Sequence, residues 1–368
     1  MHCEIEFLAV GEASRAGDAI VLRYGYDHNY ELMLVDGGHA ETGDQIVEHL
    51  RQQFGPNPIL QHVVLTHSDA DHASGLRTVL SELTVRNLWL HIPWAHADLD
   101  LFSDKRFTFE GLQKKIEAEY EIISEILELA RTAGCNIQPA FQGADIGPFK
   151  VLSPKENTYR YLVPQFDRTP DPDQAVIEAA NMWIGKESVY KKLIEMAKAA
   201  AKSWIKESWT EERLRDGGIT SASNESSVVL YGAFENELRV LLTGDAGVNA
   251  LWWAANYAAQ IGLPLQQFTF VQIPHHGSRR NVGPSVLDNL IGPAVPEGTA
   301  AHFQAYVSAP ADDDKHPRRI VLNAFKRRGG RIIATQGVNK VHWGGFSPRP
   351  GYTACADLPF YTEVEEYT

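Results

Sequence analysis

The 368-residue chain has only three cysteines, Cys3, Cys135 and Cys355, far apart and in no C-x-x-C pattern. A disulfide framework and a thiolate zinc site are therefore not expected, and a reducing cytoplasm is the natural compartment. No stretch approaches the ~18 consecutive apolar residues of a membrane span. The N-terminal MHCEIEFLAVGE lacks the basic start and long apolar run of a secretory signal. Together these absences lead to the expectation of a soluble, cytoplasmic protein. Positive charge is also short: 34 Lys and Arg stand against 47 Asp and Glu, for a net charge of −13. That excludes a general polyanion binder, so a nucleic-acid substrate would need a local basic patch. There is no interleaving of aromatic and basic residues of the single-strand-binding kind. What is present is an ordinary globular composition, 44% apolar and 22% charged, long enough to build a core without covalent or metal staples.

Short apolar runs at 5–10, 19–24 and 31–35 predict strands, the third ending in Asp36-Gly37-Gly38, a turn signal. Helical spacing follows over 42–54, with Ile46, Val47, Leu50 and Phe54 on one side and Gly55-Pro56 as the stop. A strand at 62–66 runs directly into THSDADHASG, and another is expected at 87–92. Ile116, Ile123, Ile126, Leu127 and Ala130 predict one amphipathic helix over 112–133, ended by Gly134, and a strand follows at 149–152. Residues 155–222 differ in style. Through Asp173 they are Pro- and Asp-rich and read as irregular; the lysine-rich 186–207 reads as a helix carrying Val189, Leu193, Ala197, Ala200 and Trp204. This segment is expected to be an insertion, either a lid or a helix that only buries a stripe. Strand character returns at 227–231, 238–243, 268–273, 305–308 and 331–335, the last strand expected, with helices at 251–261 and 317–328. Strand, polar loop and helix recur in both halves, which implies α/β or α+β layers and suits two sheets packed face to face under helices.

The chemistry concentrates in VVLTHSDADHASGL. His67, Asp69, Asp71 and His72 are four donors within six residues after a strand, spaced by the small Ser68 and Ala70, which let the loop coil so that the side chains converge. Imidazole and carboxylate are the donors that borderline and hard divalent cations take. Two later strands end in further donors: Leu241-Leu242-Thr243-Gly244-Asp245, whose carboxylate can bridge two cations, and the His275-His276-Gly277-Ser278 turn. Each is modest evidence alone, but strand ends hold ligands rigidly at a sheet rim, so the three clusters together point to a metal site.

In these motifs and their order the chain resembles the metallo-β-lactamase superfamily, and most closely the soluble hydrolase domain of ComEC-type DNA-uptake competence proteins. The superfamily's H-x-H-x-D-H stands here as His67-x-Asp69-x-Asp71-His72, with Asp69 in place of the second His as in the ComEC-like branch. Gly17-Asp18-Ala19, Asp36-Gly37-Gly38, NESSVVL at 224–230, LLTGD at 241–245, HHGS at 275–278 and His316-Pro317 follow that branch in order, from about residue 3 to 340. The chain departs from it at Ala9-Val10-Gly11 and the extra residues before Gly17, in its longer 155–222 segment, and in lacking a membrane channel, so no DNA-uptake role is implied. The resemblance implies an α/β fold, the metallo-β-lactamase αββα sandwich. The hydrolase domain would span 1–345 with a helical insertion at about 155–222, and 346–368 would be a C-terminal extension.

It also implies roles. His67 and Asp69 would bind one ion and Asp71 and His72 the other, with Asp245 bridging. His275 or His276 would complete the second site, His275 being nearer the strand end. The superfamily's usual His before the bridging Asp is missing, and Asn224, Ser226, Ser227 or a water would fill that region. Three carboxylates among six donors make a hard site, so two divalent ions are expected, zinc or manganese, with magnesium also compatible. Such a pair, about 3.5–4 Å apart, suits in-line phosphodiester hydrolysis by a metal-bridging hydroxide. Asp71 would orient the nucleophile or accept its proton. At the rim, Ser278, Arg279, Arg280 and Asn224 are expected to meet the substrate, the arginines gripping phosphate. His316 is expected as a transition-state donor, His39 is a further rim candidate, and Asp36 is expected to fix the turn or the ligands' orientation. Arg318, Arg319, Lys326, Arg327, Arg328 and Arg331 form an acid-free basic stretch. With the lysines of 186–206 it is either a phosphate-tracking stripe or two solvated helix faces.

The function expected is that of a phosphodiesterase or nuclease acting on nucleic acid or a nucleotide, away from membranes, with a protein partner or a second copy as a further option. Hydrolysis of a carbonyl ester, lactone or thioester, or a non-catalytic partner protein, are the alternatives the fold leaves open.

Overall fold

A computed structural model describes residues 1–13, 15–184 (backbone alone at 181–184), 203–313 and 315–367. The period-two pattern of β1 (His2–Phe7) sets the first layer: Cys3, Ile5 and Phe7 point to one face and Glu4 and Glu6 to the other. With β2 (Ile20–Tyr26), β3 (Asn29–Val35), β4 (Ile59–Val64), β5 (Thr84–Trp89), β6 (Asn136–Gln138) and β15 (Lys340–His342) it forms a seven-stranded sheet in the order β15-β1-β2-β3-β4-β5-β6. Strands β3 to β6 run parallel, and β15, β1, β2 and β3 pair antiparallel.

The second sheet collects β7 (Asp145–Ile146), β8 (Phe149–Ser153), β10 (Val229–Ala233), β11 (Arg239–Leu242), β12 (Phe270–Gln272), β13 (Phe303–Val307) and β14 (Gly330–Ala334), in the order β14-β13-β12-β11-β10-β8-β7. Here β11 to β14 are parallel. The remaining strand β9 (Trp204–Lys206) pairs antiparallel with β16 (Glu363–Glu365) in a separate two-stranded ribbon.

The two sheets face each other across one core. Ile5, Phe7, Leu22 and Met33 of the first meet Val151, Leu230, Val240, Phe270 and Tyr306 of the second. The outer face of the first sheet is covered by helices Ala40–Phe54, Leu76–Glu82, Phe109–Glu119 and Glu121–Thr132, through Ile46, Leu50, Val79, Ile116, Ile123 and Leu127. Helices Val248–Gln260, Pro284–Ile291 and Arg319–Arg327 cover the second, through Leu251, Leu287, Ile320 and Phe325. At roughly 1.5–3 kcal/mol per fully buried large aliphatic or aromatic side chain, these three layers are the main stabilising term. The expected αββα sandwich is the observed one. No helix among the described residues is long and apolar enough to cross a membrane.

Several elements differ from expectation. The helix expected over 112–133 is two, broken at Tyr120 (φ −114°, ψ 47°). Tyr120 is buried against Phe166, so tertiary packing overrides a continuous apolar stripe. The segment 155–173, expected to be irregular, contains helix Glu156–Leu162, anchored by buried Tyr159 and Leu162. Of the helix expected over 186–207, residues 186–202 lie outside the described residues. Its end, Trp204–Lys206, is a strand instead, because β16 supplies an edge to pair with. Strands β15 and β16 follow the one expected to be last.

The parallel strands of both sheets end at one edge. That edge carries the loops after β3, β4, β11, β12 and β13 and the turn before β2.

Candidate metal centre

The centre is assembled from turns that lock one another. After β3 the chain turns through Asp36-Gly37-Gly38, and after β4 through Thr66 into His67–His72. Gly37 N–H donates to the His72 carbonyl at 2.7 Å. The buried Asp36 carboxylate accepts from Thr66 N–H, from the Thr66 hydroxyl and from His72 Nδ1, each at 2.8 Å. With its hydrogen committed to Asp36, the Thr66 oxygen accepts from His67 Nδ1 at 3.0 Å. Both imidazoles thus carry a proton on Nδ1 and present Nε2 to the centre. One carboxylate fixes both tautomers, as an outer-shell partner does for metal-binding histidine. The expectation for Asp36 matches this placement.

The second sheet contributes Asp245. Gly244 (φ +50°) carries the turn after β11, and a Cβ there would lie 2.9 Å from the Thr66 Cβ, so glycine is what lets the two sheets' turns touch. Gln272 Oε1 accepts from the N–H groups of Thr243 (2.9 Å) and Gly244 (3.0 Å) and holds the turn. Asp245 is 2% exposed and faces four imidazoles. Oδ1 lies 3.3 Å from His72 Nε2 and 3.9 Å from His276 Nε2. Oδ2 lies 3.5 Å from His275 Nε2 and 4.0 Å from His67 Nε2. Burial pushes this carboxyl up, but His275, His72 and His276 outweigh it and hold it well below the usual carboxylate range. By the same balance, Asp245 and Asp36 overcome burial and raise His72 well above an ordinary histidine.

Asp69 Oδ2 stands 3.6 Å from His67 Nε2, and its Oδ1 accepts from the Ser223 hydroxyl at 2.6 Å. Burial opposes its ionisation, yet His67, Ser223 and His72 bring it down to about 2. Ser223 thus meets a ligand candidate directly. Asn224 is buried beneath His275, its amide taken by Thr220 Oγ1 (2.7 Å) and His275 Nδ1 (2.9 Å). Its amide thus positions a ligand candidate.

His275 (φ 46°) and His276 (φ 54°) both adopt left-handed backbone, a conformation costing about 1–2 kcal/mol for a residue with a Cβ. The His275 N–H to Gly244 carbonyl bond, 3.2 Å, ties this strained turn to that of Asp245. Asn281 Nδ2 is held by the Asp245 carbonyl at 2.8 Å, so its Oδ1, 3.0 Å from His275 Nδ1, must accept. Asn224 Nδ2 at the same Nδ1 would demand the opposite tautomer. The Asn281 amide is fixed by a carbonyl, whereas Asn224 can turn its oxygen to the Thr220 hydroxyl, so the Nδ1–H tautomer stands. His275 Nε2 then points a lone pair at a carboxylate.

Of the two histidines, His276 joins Asp71 and His72, their ligand atoms lying within 4.8 Å of one another. His275, preferred from its nearness to the strand end, lies beside the other Asp245 oxygen. His67, His72 and Asp245 form a second such group, and Asp18, Asp245 and His276 a third. Burial raises the Asp18 carboxyl to about 7, with Asp245 and Asp36 adding to it against the pull of His72 and the Ser308 hydroxyl.

The donor set fits a divalent cation. His67 Nε2, His72 Nε2, His276 Nε2, Asp245 Oδ1 and Asp18 Oδ1 are all buried and have no hydrogen-bond partner. A protein interior rarely leaves such atoms unpaired, and a cation that displaces the protons of the imidazoles would satisfy donors converging from five side chains. Sequence reasoning did not single out Asp18, Ser223, Gln272 or Asn281 as site residues. Only the Gly17-Asp18-Ala19 match gave a signal for any of them.

The rim differs from expectation. Arg279 Nη1 donates to the Glu366 carbonyl at 2.7 Å and lies 4.5 Å over the Tyr367 ring, turned to the segment that follows β16. Arg280 is exposed and makes no ion pair among the described residues. Ser278 is buried, its hydroxyl accepting from Arg280 N–H at 3.3 Å. His316 stacks on His275 with ring centroids 6.4 Å apart, and its Nδ1 lies 3.3 Å from Asp313. His39 is bound to the Ala16 carbonyl at 2.9 Å and is no ligand candidate.

Lys326, Arg327 and Arg328 of the basic stretch form neither a stripe nor a solvated face, while the lysines of 186–202 lie outside the described residues. Arg327 and Arg328 are 1% exposed, paired with Glu207 (2.8 Å) and with Glu212 (2.9 Å) and Asp288. Lys326 meets Asp357, and Arg319 packs over Trp204 and Tyr361. Segments 203–216 and 346–367 wrap this helix and neutralise it from both sides.

Residues 15–136, which include the loop of His67–His72, match the family model described as "Metallo-beta-lactamase superfamily". No curated protein matches the sequence. Among solved structures, the chain is similar to the zinc-bound PqqB of Methylobacterium extorquens, at 11% identity over 92% of this chain and 99% of that one, TM-score 0.40. It is similar to a long-form RNase Z of yeast, at 12% identity over 93% and 42%, TM-score 0.38. It is also similar to MEM-A1, a subclass B3 metallo-β-lactamase from a soil metagenome library, at 12% identity over 78% and 83%, TM-score 0.31. Residues 15–136 thus match the superfamily's model, and the two helix-covered sheets have the metallo-β-lactamase fold, one that typically holds divalent metal ions.

Proposed function

We propose that the chain is a two-metal hydrolase of small phosphodiesters, of the ComEC-like branch. The observation that carries this reading is the division of Asp245 between two donor groups: one oxygen toward His72 and His276, the other toward His67 and His275. A carboxylate so placed could be shared between two cations, with His72 and His276 holding one and His67 and His275 the other. Divalent cations, when bound, supply Lewis acidity and hydroxide at neutral pH.

The chain's own groups complete the chemistry. Asp71, beside His72 and His276, accepts the proton of the attacking water. His316, stacked on His275 with its Nδ1–H held by Asp313, presents Nε2 toward the substrate, and Arg280 meets the phosphate charge.

Two features favour a small ester over a polymer. Lys326, Arg327 and Arg328 of the basic stretch are spent on internal ion pairs. A groove of about 1000 Å³ at the same edge is lined by Glu12, Glu41, Glu48 and Asp312, which would repel a long polyanion.

The test pairs metal analysis with turnover of bis-p-nitrophenyl phosphate and of a thioester and lactone panel, for wild type and Asp71→Ala. Two equivalents of metal, phosphodiester turnover and its loss in the variant are expected. Bound metal without turnover on any ester class would overturn the enzymatic reading.

A further inference from the structure

Asp18, just before β2, is not among the residues the superfamily pattern supplies as ligands, yet it is built into the centre. The turn that carries it passes directly under the metal loop: a Cβ on Gly17 would lie 2.5 Å from the Asp71 carbonyl oxygen, so only glycine permits the approach. The Asp18 side chain is 1% exposed. Its Oδ2 accepts from Gln272 Nε2 at 2.9 Å, and the orientation of that amide is fixed because Gln272 Oε1 is taken by the Thr243 and Gly244 N–H groups. That leaves Oδ1 buried and without a full hydrogen bond, the buried Ser308 hydroxyl lying beside the carboxylate, alongside the unpartnered Asp245 Oδ1 and His276 Nε2. Ligand atoms of these three residues lie within 4.8 Å of one another.

We propose that Asp18 is a direct ligand of the second cation, binding it from the sheet side while Asp71, His72, His276 and Asp245 supply the remaining donors. The proposal rests on the metal-centre reading above. It makes the two positions chemically unequal. The second would hold three carboxylates and two imidazoles, a set suited to manganese. The first, with His67, Asp69, His275 and the shared Asp245, is softer and suits zinc.

The test is manganese and zinc binding by the full chain, read as stoichiometry and dissociation constant, with manganese followed by its electron-paramagnetic signal. Asp18→Asn keeps the shape and an oxygen acceptor for Gln272 but removes the charge, and Asp18→Glu restores the charge. Melting of the metal-free proteins establishes that each variant is folded. In Asp18→Asn we expect one manganese equivalent to weaken by more than about 100-fold, beyond the roughly 10–100-fold effect of an outer-shell partner. Zinc at the other position should change little, and Asp18→Glu should recover part of the manganese affinity. Asp69→Asn should show the complementary loss. A manganese effect of about 100-fold or less in Asp18→Asn, or a folded Asp18→Glu that binds no better than it, would make Asp18 an anchor for Gln272 and overturn ligation. If wild type binds no divalent cation, the metal-centre reading fails first, and this outcome is distinct from the failure of Asp18 alone.

Discussion

Two buried clusters of charge are built on opposite principles, one on the outer face of the first sheet and one where the strand ends of both sheets meet. On that outer face Glu4 and Glu6 of β1 are clasped by Arg349 from the C-terminal extension, at 2.9 and 2.6 Å. Arg23 adds a bond to Glu4 at 2.6 Å, and His49 (3.0 Å) and the Tyr352 hydroxyl complete Glu6. Every carboxylate oxygen of this clasp has a protein partner; its unpartnered buried side-chain atoms are the Nε of Arg23 and Arg349. At the strand ends, Asp18, Asp245, His67, His72 and His276 are as deeply buried but each keeps an atom with no partner. A closed network gains nothing from a further ion, and an open one is specified for something beyond the chain. The difference separates a charge cluster that holds the fold from one that holds a ligand, which composition and burial alone would not do.

The comparison breaks most directly at Asp245→Asn. If the centre were a second structural clasp, this change would lower thermal stability and leave metal content alone. We expect the reverse emphasis: loss of metal stoichiometry, and a fall in phosphodiester turnover of more than about 100-fold, exceeding the outer-shell range of 10–100-fold. Inductively coupled plasma analysis beside the turnover assay reads both.

The clasp should give the mirror result. Arg349→Ala leaves two buried carboxylates without their shared cation and should destabilise the fold by about 3 kcal/mol, with unchanged metal content. Its pH dependence follows from the two glutamates. For Glu6, burial is outweighed by His49, Arg349 and Tyr352, which lower its folded pKa. It therefore stabilises above its unfolded value of about 4.3, and that contribution is lost as pH falls through the lower folded value. For Glu4, burial wins over Arg349 and Arg23 and raises the folded pKa. Its contribution is present below the unfolded value and lost as pH rises through the folded one. Removing Arg349 moves both folded values upward, so the variant's defect should be largest near pH 7 and shrink as the pH approaches 4. A melting-temperature difference that grows on acidification would contradict the clasp.

The open cluster was the more legible of the two in the sequence. Four donors on a six-residue loop have few other uses, and strand-end Asp245 and His275-His276 follow from the same logic. The sandwich followed from period-two runs alternating with amphipathic helices. Asp18 was harder because its role depends on Gly17 touching the carbonyl of Asp71, a contact 54 residues away in sequence. The burial of Arg327 and Arg328 was illegible because their partners, Glu207, Glu212 and Asp288, lie far along the chain, and a run of cations looks the same whether solvated or neutralised. Trp204–Lys206 reads as the end of a helix until β16 supplies its pairing edge.

The smallest expected effect sharpens the comparison within the open cluster itself. Asp36 reaches His72 directly but His67 only through the Thr66 hydroxyl. Thr66→Val keeps the branched shape and removes that relay. His67 Nδ1–H would then be buried without an acceptor, which costs about 1–3 kcal/mol. The imidazole can avoid this by moving its proton to Nε2, where it can no longer serve as a ligand. The cation on the His67 side should weaken by about tenfold, at the low end of outer-shell effects, while the cation beside His72 should be unaffected because the Asp36 to His72 bond is intact. Stepwise metal titration followed by calorimetry resolves the two equivalents. Equal weakening of both would mean that Thr66 acts by holding the whole turn, and that the two histidines are not oriented separately.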